Sequence, residues 1–137
     1  MSRETEWTRE QIMENAAELA TDPTFQGARD FLLNQAVSHI DVELVKVLLA
    51  HGANANFQES WGDGLLHDLA HIFMSRRTLY GEQILLIARL LLEAGANPNL
   101  NGCNNLMPIN IAQEHGAHQF EALLLEFGAR PDGASFI

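Results

Sequence analysis

The sequence predicts an all-α solenoid of helix–turn–helix repeats, preceded by one extra capping helix. Three observations carry that expectation. Three apolar runs line up: "LVKVLLAHGANANF" from Leu44, "IARLLLEAGANPNL" from Ile87 and "FEALLLEFGARPDG" from Phe120. Each has helical apolar spacing and ends in Gly-Ala, at Gly52, Gly95 and Gly128. A second helical segment precedes each run, and 21 residues separate Phe31 from Gly52 as they separate Met107 from Gly128. No segment alternates apolar and polar residues as a half-buried strand would. Self-similarity over a few tens of residues is the mark of a stacked array.

The elements follow in order. A first helix is expected over 6–20, where Thr8 with Gln11 fits a capping box and Trp7, Met13, Ala16, Ala17 and Ala20 form an apolar stripe. Asp22-Pro23 marks a break. Helices over 24–38 and 41–51 make the first repeat, closed by Gly52, because glycine takes the left-handed conformation after a helix without a Cβ clash. The second repeat holds helices 65–76 and 81–94. Gly64 to Gly95 is 31 residues, so this copy carries a ten-residue insertion within "HIFMSRRTLYGEQ", expected as a lengthened turn between its two helices. Helices 107–114 and 117–127 complete the third. Residues 1–137 thus read as one domain: capping helix 1–23, repeats 24–56 and 57–99, and a last repeat with its C-terminal cap over 100–137.

These copies resemble the ankyrin repeat, in which two helices are followed by G-A-x-x-N and a loop returning to T-P-L-H-x-A. "GANAN" and "GANPN" match the helix end and loop start, and "GLLHDLA" and "MPINIAQ" stand at T-P-L-H-x-A. Gly62 takes the place of the loop glycine, Asn105 stands there in the next loop, and Gly116 keeps the inter-helix glycine. Asparagine tolerates positive φ better than most residues. Threonine is lost throughout, proline survives only as Pro108, and "FLLNQAV" in the first copy has lost the motif. The resemblance covers roughly residues 24 to 132. It implies protein–protein recognition without chemistry, and a structural role for His67 as the loop-ordering histidine.

Composition narrows the classes. The formal charge is −10, from 18 acidic and 8 basic residues, which argues against nucleic acid or an anionic membrane surface as partner. One cysteine, Cys103, leaves no intramolecular disulfide and fits a reducing compartment. The polar start lacks a signal-peptide core, and "ILLIARLLLEA" is too short and too charged to span a bilayer. A cytoplasmic protein without cofactor is expected.

Candidate sites are few. His67 and His71, four apart around Asp68, imitate the H-E-x-x-H zinc helix of a hydrolase. Asp68 is one methylene short for the general base and no third ligand follows, so no metal is expected and the zinc pair is a remote alternative. His115 and His118 flank the last inter-helix turn in the next repeat, and nothing in the sequence brings them to His67 and His71. Glu10, Glu14 and Glu18, with Glu6 before them, form an acidic ridge on the first helix, only partly offset by Arg9. The loop "NFQESWGDG" holds Phe57, Trp61 and Asp63 in a segment expected to project as a partner-binding fingertip, the alternative being that one aromatic folds back over the neighbouring repeat's core. Arg76, Arg77 and Tyr80 in the insertion are residue types favoured at interfaces. Cys103 has no basic residue within ten positions and is expected to be inert.

The expected function is a non-catalytic binding module. A small acidic chain starting with methionine and lacking a catalytic domain reads as a stand-alone inhibitor, of immunity or antitoxin type, that covers a basic surface of a toxin or enzyme. An adaptor, or an effector exported to engage a host protein, is the rival expectation.

Overall fold

The first atoms of each helix show why it starts there. The computed structural model describes residues 8–19 and 21–131, apart from the side chain of Arg77. The expected roles of Glu6, Trp7 and Ala20 in the first helix, and the cap after 131, lie outside the described residues. α1 (Arg9–Leu19) opens on the reciprocal box: Thr8 N–H donates to Gln11 Oε1 at 2.9 Å and Gln11 N–H to Thr8 Oγ1 at 3.1 Å. α2 (Pro23–Ser38) opens on Asp22, whose carboxylate accepts Thr24 N–H, with Pro23 in the first turn where no N–H is needed. α3 (Val42–Ala50) is capped by Asp41, which accepts Leu44 N–H. α4 (Leu65–Glu93), a 3₁₀ turn (Cys103–Asn105), α5 (Pro108–Glu114) and α6 (His118–Glu126) follow. One isolated antiparallel bridge, Gln58 to Gly64, is the sole β pairing among the described residues.

The three Gly-Ala signals end their helices in one way. Gly95 N–H donates to Leu92 C=O and Ala96 N–H to Leu91 C=O; the pairs at Gly52–Ala53 and Gly128–Ala129 repeat the pattern. This double reverse bond satisfies carbonyls that the helix end would orphan, and it needs a positive φ at the glycine, here +104° at Gly95. The same bonds close the turns inside repeats, through Gly116 (φ 67°) and, in the first repeat, through Ile40 (φ 55°). A β-branched residue in that region is strained. Ile40 makes the turn without a glycine, and its side chain packs against the core.

The insertion corrects the expected pattern. Instead of a longer turn between helices 65–76 and 81–94, residues 65–93 are helical almost throughout, broken only where Tyr80 leaves helical geometry (φ −125°, ψ 15°) before Gly81. A straight helix of that length would put its ends roughly 40 Å apart. Yet Leu65 and His67 at its start and Ala96 and Asn97 just past its end line one small cavity. The helix therefore doubles back at Tyr80, and the ten residues lengthen both arms into a projecting hairpin. The physical reason is sequence: "HIFMSRRTLYGEQILL" holds no proline and no helix-breaking pair, and Gly81 alone follows the break.

Packing runs from neighbour to neighbour. α1 lies on α3, α2 and α3 pack on α4, and α4 packs on α5 and α6. A single apolar cluster threads the stack, with Phe25, Leu33, Leu48, Leu69, Phe73, Ile87, Ile109 and Phe120 among its fully buried members. The Phe73 and Phe120 rings, 5.9 Å apart, join repeat two to repeat three. On α1 the buried stripe is Ile12 and Ala16, with Met13 and Leu19 partly covered, whereas Ala17 is exposed. Arg9 meets Asp41 through two hydrogen bonds and so ties α1 to the cap of α3. That pairing holds the Asp41 carboxyl below the usual carboxylate range.

Candidate functional site

The loop from Phe57 to Gly64 is a finger built by short backbone bonds. Glu59 N–H donates to Asp63 C=O at 2.8 Å and Gly62 N–H to Glu59 C=O at 2.9 Å. Gly62 sits at φ +113°, and a Cβ there would stand 3.3 Å from Cys103 N in the next loop, so conformation and contact both require glycine. Phe57 folds back, half-buried against the core, and Trp61 is the aromatic left outside, 59% exposed. Asp63 Oδ1 accepts the Cys103 N–H at 2.8 Å, so this carboxylate braces one finger against the next.

His67 lies under the finger, with no exposed surface. Its Nδ1 accepts the Gly64 N–H at 3.0 Å, and its Nε2–H donates to Leu106 C=O at 2.8 Å. These partners fix one neutral tautomer and use both ring nitrogens. Burial pushes its pKa below the ordinary histidine value. No nitrogen of His67 is left for a metal, and the supposed zinc pair with His71 does not form. No group of three or more His, Cys, Asp or Glu side chains among the described residues could hold a metal ion. Asp68, half-buried one residue on, has its pKa pushed up to about 6 by burial and then by the charges of Glu59 and Asp63. The base of the finger is therefore an acidic region.

The same position recurs in each repeat. Asn34 stands 33 residues before His67 and Asn110 stands 43 after it. Asn34 Nδ2 donates to Glu59 Oε2 at 2.6 Å, and Asn110 Oδ1 accepts the Met107 N–H at 2.8 Å. A second ladder runs through the loops: Asn56 donates to Gly95 C=O and accepts the Asn97 N–H, and Asn99 repeats this with Gly128 C=O and Arg130 N–H.

No family model matches the chain. It is 39% identical over 100 residues to the ankyrin repeat, SAM and basic leucine zipper domain-containing protein 1 of Dasypus novemcinctus, covering 71% of this chain. A solved ankyrin repeat domain from Acinetobacter baumannii is 33% identical over 72% of this chain, with a TM-score of 0.64. The ankyrin repeat domain of Bcl-3, at 23% identity, TM-score 0.56 and 84% of this chain, shares the fold. The chain belongs to the ankyrin-repeat family. It spans 19% of the length of the first of these relatives, 47% of the second and 51% of the third.

On this ankyrin scaffold the sequence-predicted residues fall on three separate surfaces. Trp61 and Asp63 belong to the finger. Arg76 and Tyr80 lie in the projecting arms of α4, exposed beside Met74 and Leu79, the latter 77% exposed. Tyr80 is about 22 Å along the arm from the finger end of α4. The Arg77 side chain is outside the described residues. Glu10, Glu14 and Glu18 are exposed on α1, which packs on α3. Arg9, committed to Asp41, is the one cation in their element.

Pro108 opens α5, and Gly52, Gly62, Gly95, Gly116 and Gly128 all have positive φ, as does Asn105 at 60°. His71 and His115, unrelated by spacing, do approach: their rings stand edge to face with centroids 5.8 Å apart. Sequence reasoning missed Gly102, whose added Cβ would come within 2.5 Å of Asp63 Oδ1 and 2.7 Å of His67 Nε2. It also missed Asn34 and Asn110, for which the register with His67 was the available signal. No described helix is long and apolar enough to cross a membrane.

Proposed function

We propose that this chain is a protein-binding module of the inhibitor or immunity type, which neutralises a partner by covering a basic surface on it. Ankyrin-repeat proteins are protein–protein interaction modules, and that general role applies here. The observation that carries the finer reading is Trp61, held outside at the tip of a braced finger with Glu59, Asp63 and Asp68 at its base. A large ring on a rigid support loses little entropy on binding, and a local excess of carboxylates draws a cationic partner. The net charge of −10 extends that attraction over the molecule and favours steered association. A toxin or enzyme in the same cytoplasm is the kind of partner that fits.

The test is capture of partners from the native cell on immobilised protein, followed by affinity measurement. Trp61→Ala should weaken binding at least tenfold while the melting temperature stays put, because the ring is mostly in solvent. Affinity should also fall as salt rises from 50 to 500 mM. An affinity indifferent to both salt and Trp61, or a partner that is itself acidic, would count against a basic target.

A further inference from the structure

We propose that His71 and His115 together form a site for a divalent first-row transition ion such as zinc, copper or nickel, bridging repeats two and three. The two rings come from different elements, His71 from the first arm of α4 and His115 from the end of α5. Their centroids lie 5.8 Å apart. Two imidazoles on one tetrahedral ion, with metal–nitrogen bonds of about 2.0–2.1 Å, place their ring centres roughly 5 to 6 Å apart. The two rings therefore already stand at bridging distance. The 66° between the planes sets one ring against the other's edge. The adjustment needed is a rotation about χ2, a broad torsion for histidine.

The ring nitrogens are also available. His39 and His51 direct Nδ1 to the carbonyl one turn back, and His67 has spent both nitrogens. Neither His71 nor His115 holds a hydrogen bond through its ring to any described residue, and both reach solvent, His71 exposed and His115 half-buried. Imidazole selects borderline ions over calcium and magnesium, which need oxygen ligands. With two protein ligands, water completes the coordination shell, so the site is one for micromolar rather than structural affinity. Its effect is to pin the two repeats together by a link separate from the finger bonds. The site shares His71 with the zinc helix suggested by His67 and His71, but it pairs that ring with His115 instead of the buried His67.

Zinc chloride titrated into the tag-free chain, in a non-chelating buffer, tests this by calorimetry and thermal unfolding. One equivalent should bind and raise the melting temperature. His71→Ala and His115→Ala should each weaken binding at least tenfold, whereas His118→Ala and Cys103→Ser should leave it unchanged. Both histidine variants should melt near the wild-type temperature without metal. The proposal is overturned if zinc does not bind, if either histidine variant keeps wild-type affinity, or if magnesium gives the same shift, which would mark a general counter-ion effect of an acidic surface.

Discussion

At the scale of single residues, the space between the two fingers is decided by one missing methyl group. Gly102 lies against Asp63 Oδ1 and His67 Nε2, and an added Cβ would overlap both. His67 is fully buried and held at both nitrogens, so it cannot retreat. Gly102→Ala should destabilise the chain by about 1–3 kcal/mol, read from denaturant unfolding, as overpacking of a fixed site does. Asp68 gives a second residue-scale test, with a defined sign. Its folded pKa is raised from 3.8 to about 6, so its proton is bound more tightly in the folded chain. That stabilisation is full below about pH 4 and is lost as pH rises through 6. Asp68→Asn should therefore gain stability over the wild type between pH 4.5 and 7.5. The gain should be on the order of 1–2 kcal/mol, since the half-buried group is partly screened. His67 works in the opposite direction: its lowered pKa makes folding weaken as pH falls below about 6.5. Both proteins carry His67, so comparing them at each pH isolates Asp68. A constant difference would mean that burial and the neighbouring charges of Glu59 and Asp63 do not act on it.

Elements are set mainly by their ends. Gly95 closes α4 at φ +104°, and nothing lies within 4 Å of where its Cβ would be. Gly95→Ala therefore isolates backbone strain and should cost about 1–2 kcal/mol, with no change in the helix content seen by circular dichroism. These ends were legible because the Gly-Ala and Asp-Pro signals are local: they depend on residues within one turn. The course of α4 was not. Whether "HIFMSRRTLYGEQ" forms a loop or two longer arms depends on what each arm packs against. Phe73 and Ile84 are both buried on either side of the break, which holds the extension helical.

For the whole molecule, neighbour-only packing implies that stability is shared along the stack rather than pooled. Phe120 is the buried contact of the last repeat with Phe73. Phe120→Ala should cost about 3–5 kcal/mol. It should also raise amide exchange in α5 and α6 before α2 and α3, because the opening is local to that end. Equal exposure of all repeats would show a single cooperative unit instead. Surface charge acts at this scale too. Arg9, the one cation of α1, is drawn into a pair with Asp41 and so only partly offsets the glutamates of its helix.

The array was written in the sequence: the repeat register, the glycine-closed helix ends, the capping box of the first helix and the structural place of His67. Each of these is written in residues a few positions apart, where propensity, φ preference and short-range hydrogen bonds decide the outcome. Folding in three dimensions settled which aromatic of the finger turns outward, why Gly102 must stay small, and that His71 meets His115. The last two depend on side chains 35 to 44 residues apart in the chain, which meet only when neighbouring repeats stack.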